Sequence, residues 1–379
     1  MEKSSNAKAN VSGAAPRPER WVSVDALRGF DMLWIVGGGG LVSALNKAGG
    51  DQGFLHLCAE QLKHKEWQGF AFEDLIFPLF VFIVGISLTF SLGRIAGQEG
   101  QSKAHWRLFR RAALLFALGI LYSGGFKDPW PGMRIMGVLQ RIALCYCFAG
   151  LLFLHLRTRG LVIAFFVLLL GYWAVMSFVP APGQPHVSFE PDKNIANYVD
   201  FHCLPGRLHE KTRDPEGLLS TFPAVATCLL GVFAGLLIQN TNVSNARKLM
   251  LFVLGGAAMV GLGFLWGLQF PVIKKLWTSS FVLVAGGYSC LLLAFFYLII
   301  DAWKLKRWAL PFLWVGTNAL AIYLMRNIVD VQALAMRFVG GDIQAALGAY
   351  GPLVMNMVSL GFTLLFAWYL YKKEIFLRL

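Results

Sequence analysis

The feature that most constrains this chain is a series of ten stretches of about 20 apolar residues, the length that crosses the hydrocarbon core of a bilayer as a helix. They fall near residues 21–44, 72–93, 108–126, 135–156, 161–180, 217–239, 249–269, 279–301, 309–329 and 349–371. Inside hydrocarbon every backbone N–H and C=O has to be satisfied within the segment, and a window of this length does so as a helix. Composition agrees, because 56% of the 379 residues are hydrophobic and only 15% are charged, against about a quarter charged in a soluble domain. So few charges cannot clothe a water-facing surface. The expected fold is an all-α integral membrane protein, a bundle of about ten transmembrane helices.

Charge placement gives an orientation. With both termini on one side, the segments on that side hold 20 Lys and Arg and the opposite loops hold 12, so the positive-inside rule places both termini in the cytoplasm. The formal charge of +13 is dispersed in short clusters between apolar runs. That pattern suits topology signals beside membrane lipid and excludes a nucleic-acid partner. Residues 1–20 are polar with no apolar run and read as a flexible cytoplasmic tail, which leaves 21–379 as one transmembrane domain. Two outer loops, 45–71 and 181–216, are long enough to be functional and hold five of the seven histidines: His56, His64, His186, His202 and His209. The six cysteines include no C-x-x-C pair and no cysteine near a histidine at metal-ligand spacing, so no metal is expected. Cys58 and Cys203, one in each long loop, are candidates for a disulfide on an oxidising face.

Ionisable residues inside membrane segments mark function or structural pairing. Asp31, Asp74, Arg141 and Arg326 are that set, and helical rise places Asp74, Arg141 and Arg326 toward the outer side, where they can meet at one cavity. His64 lies in Lys63-His64-Lys65-Glu66-Trp67-Gln68-Gly69, just before Asp74-Leu75-Ile76-Phe77-Pro78, and Pro78 is expected to bend the second helix beneath the loop. A neutral imidazole there suits general-base work. Gly37 to Gly40 interrupt the first helix and either allow close helix packing or leave room for a slender ligand. His209 and Asp214 carry an H-x4-D spacing, a two-residue pattern that arises often by chance.

Six motifs in order, from about residue 20 to the C-terminus, resemble heparan-α-glucosaminide N-acetyltransferase and its bacterial relatives. They are Arg20-Trp21-Val22-Ser23-Val24-Asp25-Ala26-Leu27-Arg28-Gly29; the His64 segment with Asp74-Leu75-Ile76-Phe77-Pro78; Arg134-Ile135-Met136-Gly137-Val138-Leu139-Gln140-Arg141; Asp214-Pro215-Glu216-Gly217; Leu276-Trp277-Thr278-Ser279-Ser280; and Asn318 with Tyr323. The resemblance implies a multi-pass homodimer of the bacterial inner membrane. It implies transfer of acetyl from cytosolic acetyl-CoA to the amino group of a glucosamine or terminal glucosaminide on the periplasmic side. His64 stands where the family has its active-site histidine. Asp74 or Glu216 is then the group that orients it, and Arg141 or Asn318 the group that stabilises the oxyanion. Trp67 and Arg326 complete the expected substrate contacts. Acetyl-CoA needs cations for its phosphates on the cytoplasmic face, where Arg28, Arg94, Arg107, Arg110 and Arg111 lie, and the slender arm would pass Gly38 and Gly39. The same residues also admit an amino-sugar transporter, with the intramembrane charges as its path, or an O-acetyltransferase acting on a cell-envelope glycan.

Overall fold

The computed structural model describes residues 21–377 apart from positions 51 and 128; the expected tail, 1–20, lies outside the described residues. The described chain is helical, with two isolated bridges, Gln68 to Ile273 and Arg134 to Gly206, and no strand. In order the helices are α1 (Val22–Leu33), α2 (Gly39–Ala48), α3 (Gly53–Gln61), α4 (Phe72–Gln98), α5 (Gln101–Tyr122), α6 (Val138–His155), α7 (Thr158–Phe178) and α8 (Ile195–Cys203). They continue as α9 (Thr221–Gln239), α10 (Asn245–Gly267), α11 (Ser279–Phe296), α12 (Leu310–Gly316), α13 (Ala319–Ile328), α14 (Val331–Val339), α15 (Asp342–Ala346) and α16 (Gly351–Lys372).

Among the described residues, seven helices are long and apolar enough to cross a membrane, or eight if the pair α12 and α13, bent by 60°, is one span. This is a multi-pass membrane protein. Three of the ten expected windows depart from a uniform apolar helix, the ninth being the bent pair α12 and α13, so ten uniform spans are not observed among the described residues. The first is broken: a π turn, Trp34–Gly38, separates α1 from α2, and Gly37 leaves the helical conformation there. Each glycine lowers helix stability by about 1 kcal/mol relative to alanine, so a run of four is where a helix yields. The third window belongs to α5, which begins seven residues earlier than the window and so takes Lys103, Arg107, Arg110 and Arg111 into its first half.

Burial sorts the bundle into centre and rim. In α9, 78% of the membrane-length window is buried and in α4 67%, against 17% in α10, so α4 and α9 form the axis and α10 lies at the periphery. The axis is a glycine seam: a Cβ on Gly85 would collide with the carbonyl oxygen of Cys228, and one on Gly231 with that of Phe82. The two backbones therefore touch, the close approach that small residues permit in membrane helices. Helices α6 and α11 flank α4, while α1 packs against α12 and α11. α4 runs unbroken through Pro78.

Candidate active site

One helix sets the dimensions of the site. Along α4, Glu73, Ile76, Phe77, Phe80, Val84, Ser87 and Ser91 recur at three- and four-residue spacing and form one wall of a cavity of about 930 Å³. From Glu73 to Ser91 that wall measures about 27 Å at 1.5 Å per residue, most of a bilayer's hydrocarbon thickness. His64, Lys274 and Glu216 line one end; Arg28, Arg107 and Arg111 line the other. Ile142, Leu115 and Leu320 make the middle apolar.

The His64 end is built on the first turn of α4. The Ala71 N-cap has no side-chain acceptor, and the Asp74 carboxylate at the third helical position reaches back to the Ala71 N–H at 3.1 Å, half of a capping box. The same Oδ2 accepts the Lys65 N–H at 3.3 Å. With Oδ2 so fixed, Oδ1 of the fully buried Asp74 faces His64 Nδ1 at 3.1 Å. A carboxylate only accepts, so Nδ1 carries the proton and Nε2 keeps its lone pair. The His64 side chain is 59% exposed, which places that lone pair at an open mouth.

A distant segment completes this end. Gly69, with a positive φ of 110°, lets the loop turn so that its N–H meets the Val272 carbonyl at 2.9 Å, and Gln68 bridges to Ile273. That pairing delivers Lys274, whose Nζ lies 3.3 Å from Asp74 Oδ1 and 3.1 Å from His64 Nδ1; an ammonium only donates, so with Nδ1 donating to Asp74 the hydrogen bond of Lys274 goes to Asp74 and its approach to Nδ1 is a contact. Burial lowers the Lys274 ammonium below its ordinary value, against the opposing pull of Asp74. Glu216 reaches the cavity from an ion-pair knot in which Arg134 contacts Glu216 at 2.8 Å and Asp214 at 3.1 Å. Burial raises the Glu216 carboxyl above its ordinary value, with Arg141 and Arg134 opposing and Asp214 reinforcing the shift.

The expected site residues divide into two groups. His64, Glu216, Arg326, Arg28 and Arg111 line the cavity, as does Arg107, and Asp74 joins it through His64. Arg326 donates to the Ile35 carbonyl at the π turn. The others lie elsewhere. Trp67 clasps the two long loops, its indole N–H bonded to the Phe189 carbonyl at 2.8 Å and its ring under Arg213. Arg141 is fully buried beneath the site, bonded to the Gly217 carbonyl at 3.0 Å and to Ser220, and stacked on Trp277. Asn318 sits behind the wall, where its side-chain oxygen accepts the Leu377 N–H at 3.3 Å. Arg94 and Arg110 are exposed and off the cavity; Gly38 and Gly39 of the interrupted helix are half-buried and also off it. Asp214 accepts the backbone N–H of His209 at 2.9 Å, so the H-x4-D spacing is a turn in the ion-pair knot. All six cysteines are free, Cys58 and Cys203 included; no disulfide ties the loops, whose clasp is Trp67.

Lys274 and Glu73 were not singled out from the sequence. Lys274 is separated from His64 by 210 residues and carried no motif of its own, although it lies two residues before the Leu276–Trp277 motif. Glu73 is the neighbour of Asp74, and the 100° turn per residue that separates their directions was the available signal.

The arginine end suits a phosphate-bearing acyl carrier. Nε of both Arg107 and Arg111 is buried without a hydrogen-bond partner, and Arg28 bridges to Ser87 at 2.5 Å and to Asp25 at 3.0 Å. Guanidinium groups with spare donors are what phosphates need, and the apolar middle fits a slender arm running to His64. Among the described residues no group of three or more His, Cys, Asp or Glu is placed to hold a metal.

Comparison with known proteins agrees with this architecture. Residues 20–261, more than half of the chain, match the family described as heparan-alpha-glucosaminide N-acetyltransferase, catalytic. The heparan-alpha-glucosaminide N-acetyltransferase of Homo sapiens is 27% identical over 430 residues, covering 96% of this chain and 60% of that protein. Its Mus musculus counterpart is 25% identical over 420 residues, covering 94% and 60%. This chain thus spans about 60% of the length of these curated relatives. On the strength of the matched residues, the chain belongs to the heparan-alpha-glucosaminide N-acetyltransferase catalytic family.

Proposed function

We propose that the chain is a membrane acetyltransferase that takes acetyl from acetyl-CoA held at the cytoplasmic end of the cavity and places it on the amino group of a glucosamine or terminal glucosaminide at the other end. The observation that carries this reading is the single cavity that joins Arg28, Arg107 and Arg111 to His64 over the length of α4. The two ends then face opposite sides of the membrane, with the termini cytoplasmic as the charge distribution favours.

Acetyl-CoA, when bound, supplies an acetyl group activated as a thioester. The residues do the rest. Arg107 and Arg111 hold phosphate charge through their unpartnered donors. Asp74 fixes the His64 tautomer and stabilises the imidazolium that forms when Nε2 takes a proton from the attacking amine. Lys274 is the cation nearest this base and is the group placed to stabilise negative charge developing on the carbonyl oxygen; Arg141 and Asn318, which the sequence suggested, lie behind the wall.

The test is to incubate detergent-solubilised protein with acetyl-CoA and glucosamine and to follow free thiol and product mass together. Thiol should appear with N-acetylglucosamine, and His64→Ala should abolish both while still binding CoA. An ester product would move the acceptor to a hydroxyl. Flat thiol with glucosamine and short glucosaminides would overturn the amino-sugar reading, and counterflow of labelled amino sugar without acetyl-CoA would replace it with a transporter.

A further inference from the structure

Two carboxylates at or behind the cavity wall have buried oxygens without a partner. Glu73 lines the cavity, and its Oε2 is buried without a hydrogen bond. Asp31 is 0% exposed, and neither of its oxygens has a partner. It lies on the face of α1 from which Arg28, Met32 and Ile35 reach the cavity wall, and it feels the charge of Glu73. The other charged groups around Glu73 are His64, Lys274, Asp74 and Arg326. The cations among the neighbours donate elsewhere: Lys274 to Asp74, Arg326 to the Ile35 carbonyl and Arg28 to Asp25 and Ser87.

Burying a carboxylate oxygen without a donor is unfavourable, so the unpartnered Glu73 oxygen at the cavity defines a place for a ligand that donates, and the buried charge site of Asp31 behind it adds to the demand for a cation. A primary ammonium brings one positive charge and three N–H donors. We propose that Glu73, backed by Asp31, is the subsite that receives the ammonium of the acceptor and takes its first proton. The inference rests on the acetyltransferase reading above and deepens it by specifying a cationic acceptor.

Proton accounting supports two bases. Converting an ammonium and a thioester into an amide and a thiol removes two protons from nitrogen as the N–C bond forms and the C–S bond breaks, with the sulfur leaving on its electron pair. Glu73 takes the first proton, which frees the nitrogen lone pair, and releases it later through the open mouth. His64 Nε2 takes the second during attack and returns it to the sulfur. Asp31 acts through Glu73 as a positioning residue. A hydroxyl acceptor carries no charge to meet the pair, which therefore selects amines.

The experiment compares wild type, Glu73→Gln and Asp31→Asn, both near-isosteric, in initial rates against pH with glucosamine and acetyl-CoA varied separately. For Glu73→Gln, KM for glucosamine should rise about ten- to a hundredfold near neutral pH, the loss expected for a charge-assisted hydrogen bond. The deficit should shrink as pH rises and the free amine accumulates, while KM for acetyl-CoA stays put. Asp31→Asn should shift the same profile by less. An unchanged glucosamine KM and pH profile in Glu73→Gln would overturn the proposal while leaving the acetyltransferase reading intact. Should Glu73→Gln not fold, wild type decides through inhibitors: glucose competing with glucosamine as well as a non-acetylatable ammonium sugar does would overturn the proposal. Absence of thiol release from wild type with any amine sinks the functional reading and this one together.

Discussion

Helices α4 and α1 both line the cavity, and they are built in opposite ways. α4 is 27 residues without interruption, its back locked to α9 by Gly85 and Gly231. α1 ends after 12 residues in a π turn, and its continuation α2 takes a new start. Apart from the Asp74 carbonyl, to which Pro78 has no N–H to donate, α4 keeps its interior carbonyls within the helix and offers the cavity side chains at fixed intervals. A π turn releases backbone groups, which is why such turns cluster at functional sites; here the Ile35 carbonyl becomes the anchor for Arg326. The contrast teaches that one wall sets distance and the other supplies local polarity, so substitutions on the two walls should fail in different ways.

The harshest way to break the comparison is Gly85→Leu. The added side chain meets backbone on α9, which cannot move aside, and overpacking of this kind costs several kcal/mol; thermal unfolding in detergent should show little or no folded protein. Next is Asp74→Asn, which leaves the α4 wall in place but removes the charge that fixes the His64 tautomer. Single-turnover rates should fall by about 10²- to 10⁴-fold with CoA affinity unchanged. Smaller again is Arg111→Ala, for which KM for acetyl-CoA should rise about tenfold or more while kcat holds; an equal fall in kcat would place Arg111 in the chemistry instead. The mildest is Gly39→Ala. No atom lies within 4 Å of the added Cβ, and alanine favours helix by up to about 1 kcal/mol, so melting should shift upward slightly at full activity. Lost activity would mean that the interrupted wall needs glycine for a ligand after all.

Much of this was legible in the chain. The apolar windows were enough to find an all-helical membrane bundle, because hydrocarbon leaves the backbone few options, but seven or eight helices among the described residues, not ten, are long and apolar enough to cross. The sequence left Asp74 or Glu216 as the partner of His64; the structure brings Asp74 to 3.1 Å from His64 Nδ1, through a cap at the start of α4 that is local in the chain. Three things were not legible. Lys274 reaches His64 only through the bridge of Gln68 to Ile273, a long-range pairing with no periodic signal. Arg141 and Arg326 are both intramembrane cations in the sequence, but one serves Gly217 and Ser220 behind the site and the other faces the cavity; depth along a helix is readable, and direction around it depends on neighbours. The four glycines signalled an interruption of the first helix and left close packing or a slender ligand open; the structure puts a π turn there, with Gly38 and Gly39 off the cavity.

The uninterrupted wall of α4 also limits how this family member can change by insertion or deletion. One residue added between Phe77 and Gly85 would turn everything beyond it by about 100°, carrying Ser87 off the cavity and Gly85 off Cys228 in the same stroke. Lengths that preserve both faces come only as near-whole numbers of turns, so the span between the His64 end and the arginines is quantised in steps of about 5 Å. A longer or shorter carrier would have to be accommodated by exchanging side chains at the two ends, since the distance between them is not free to drift.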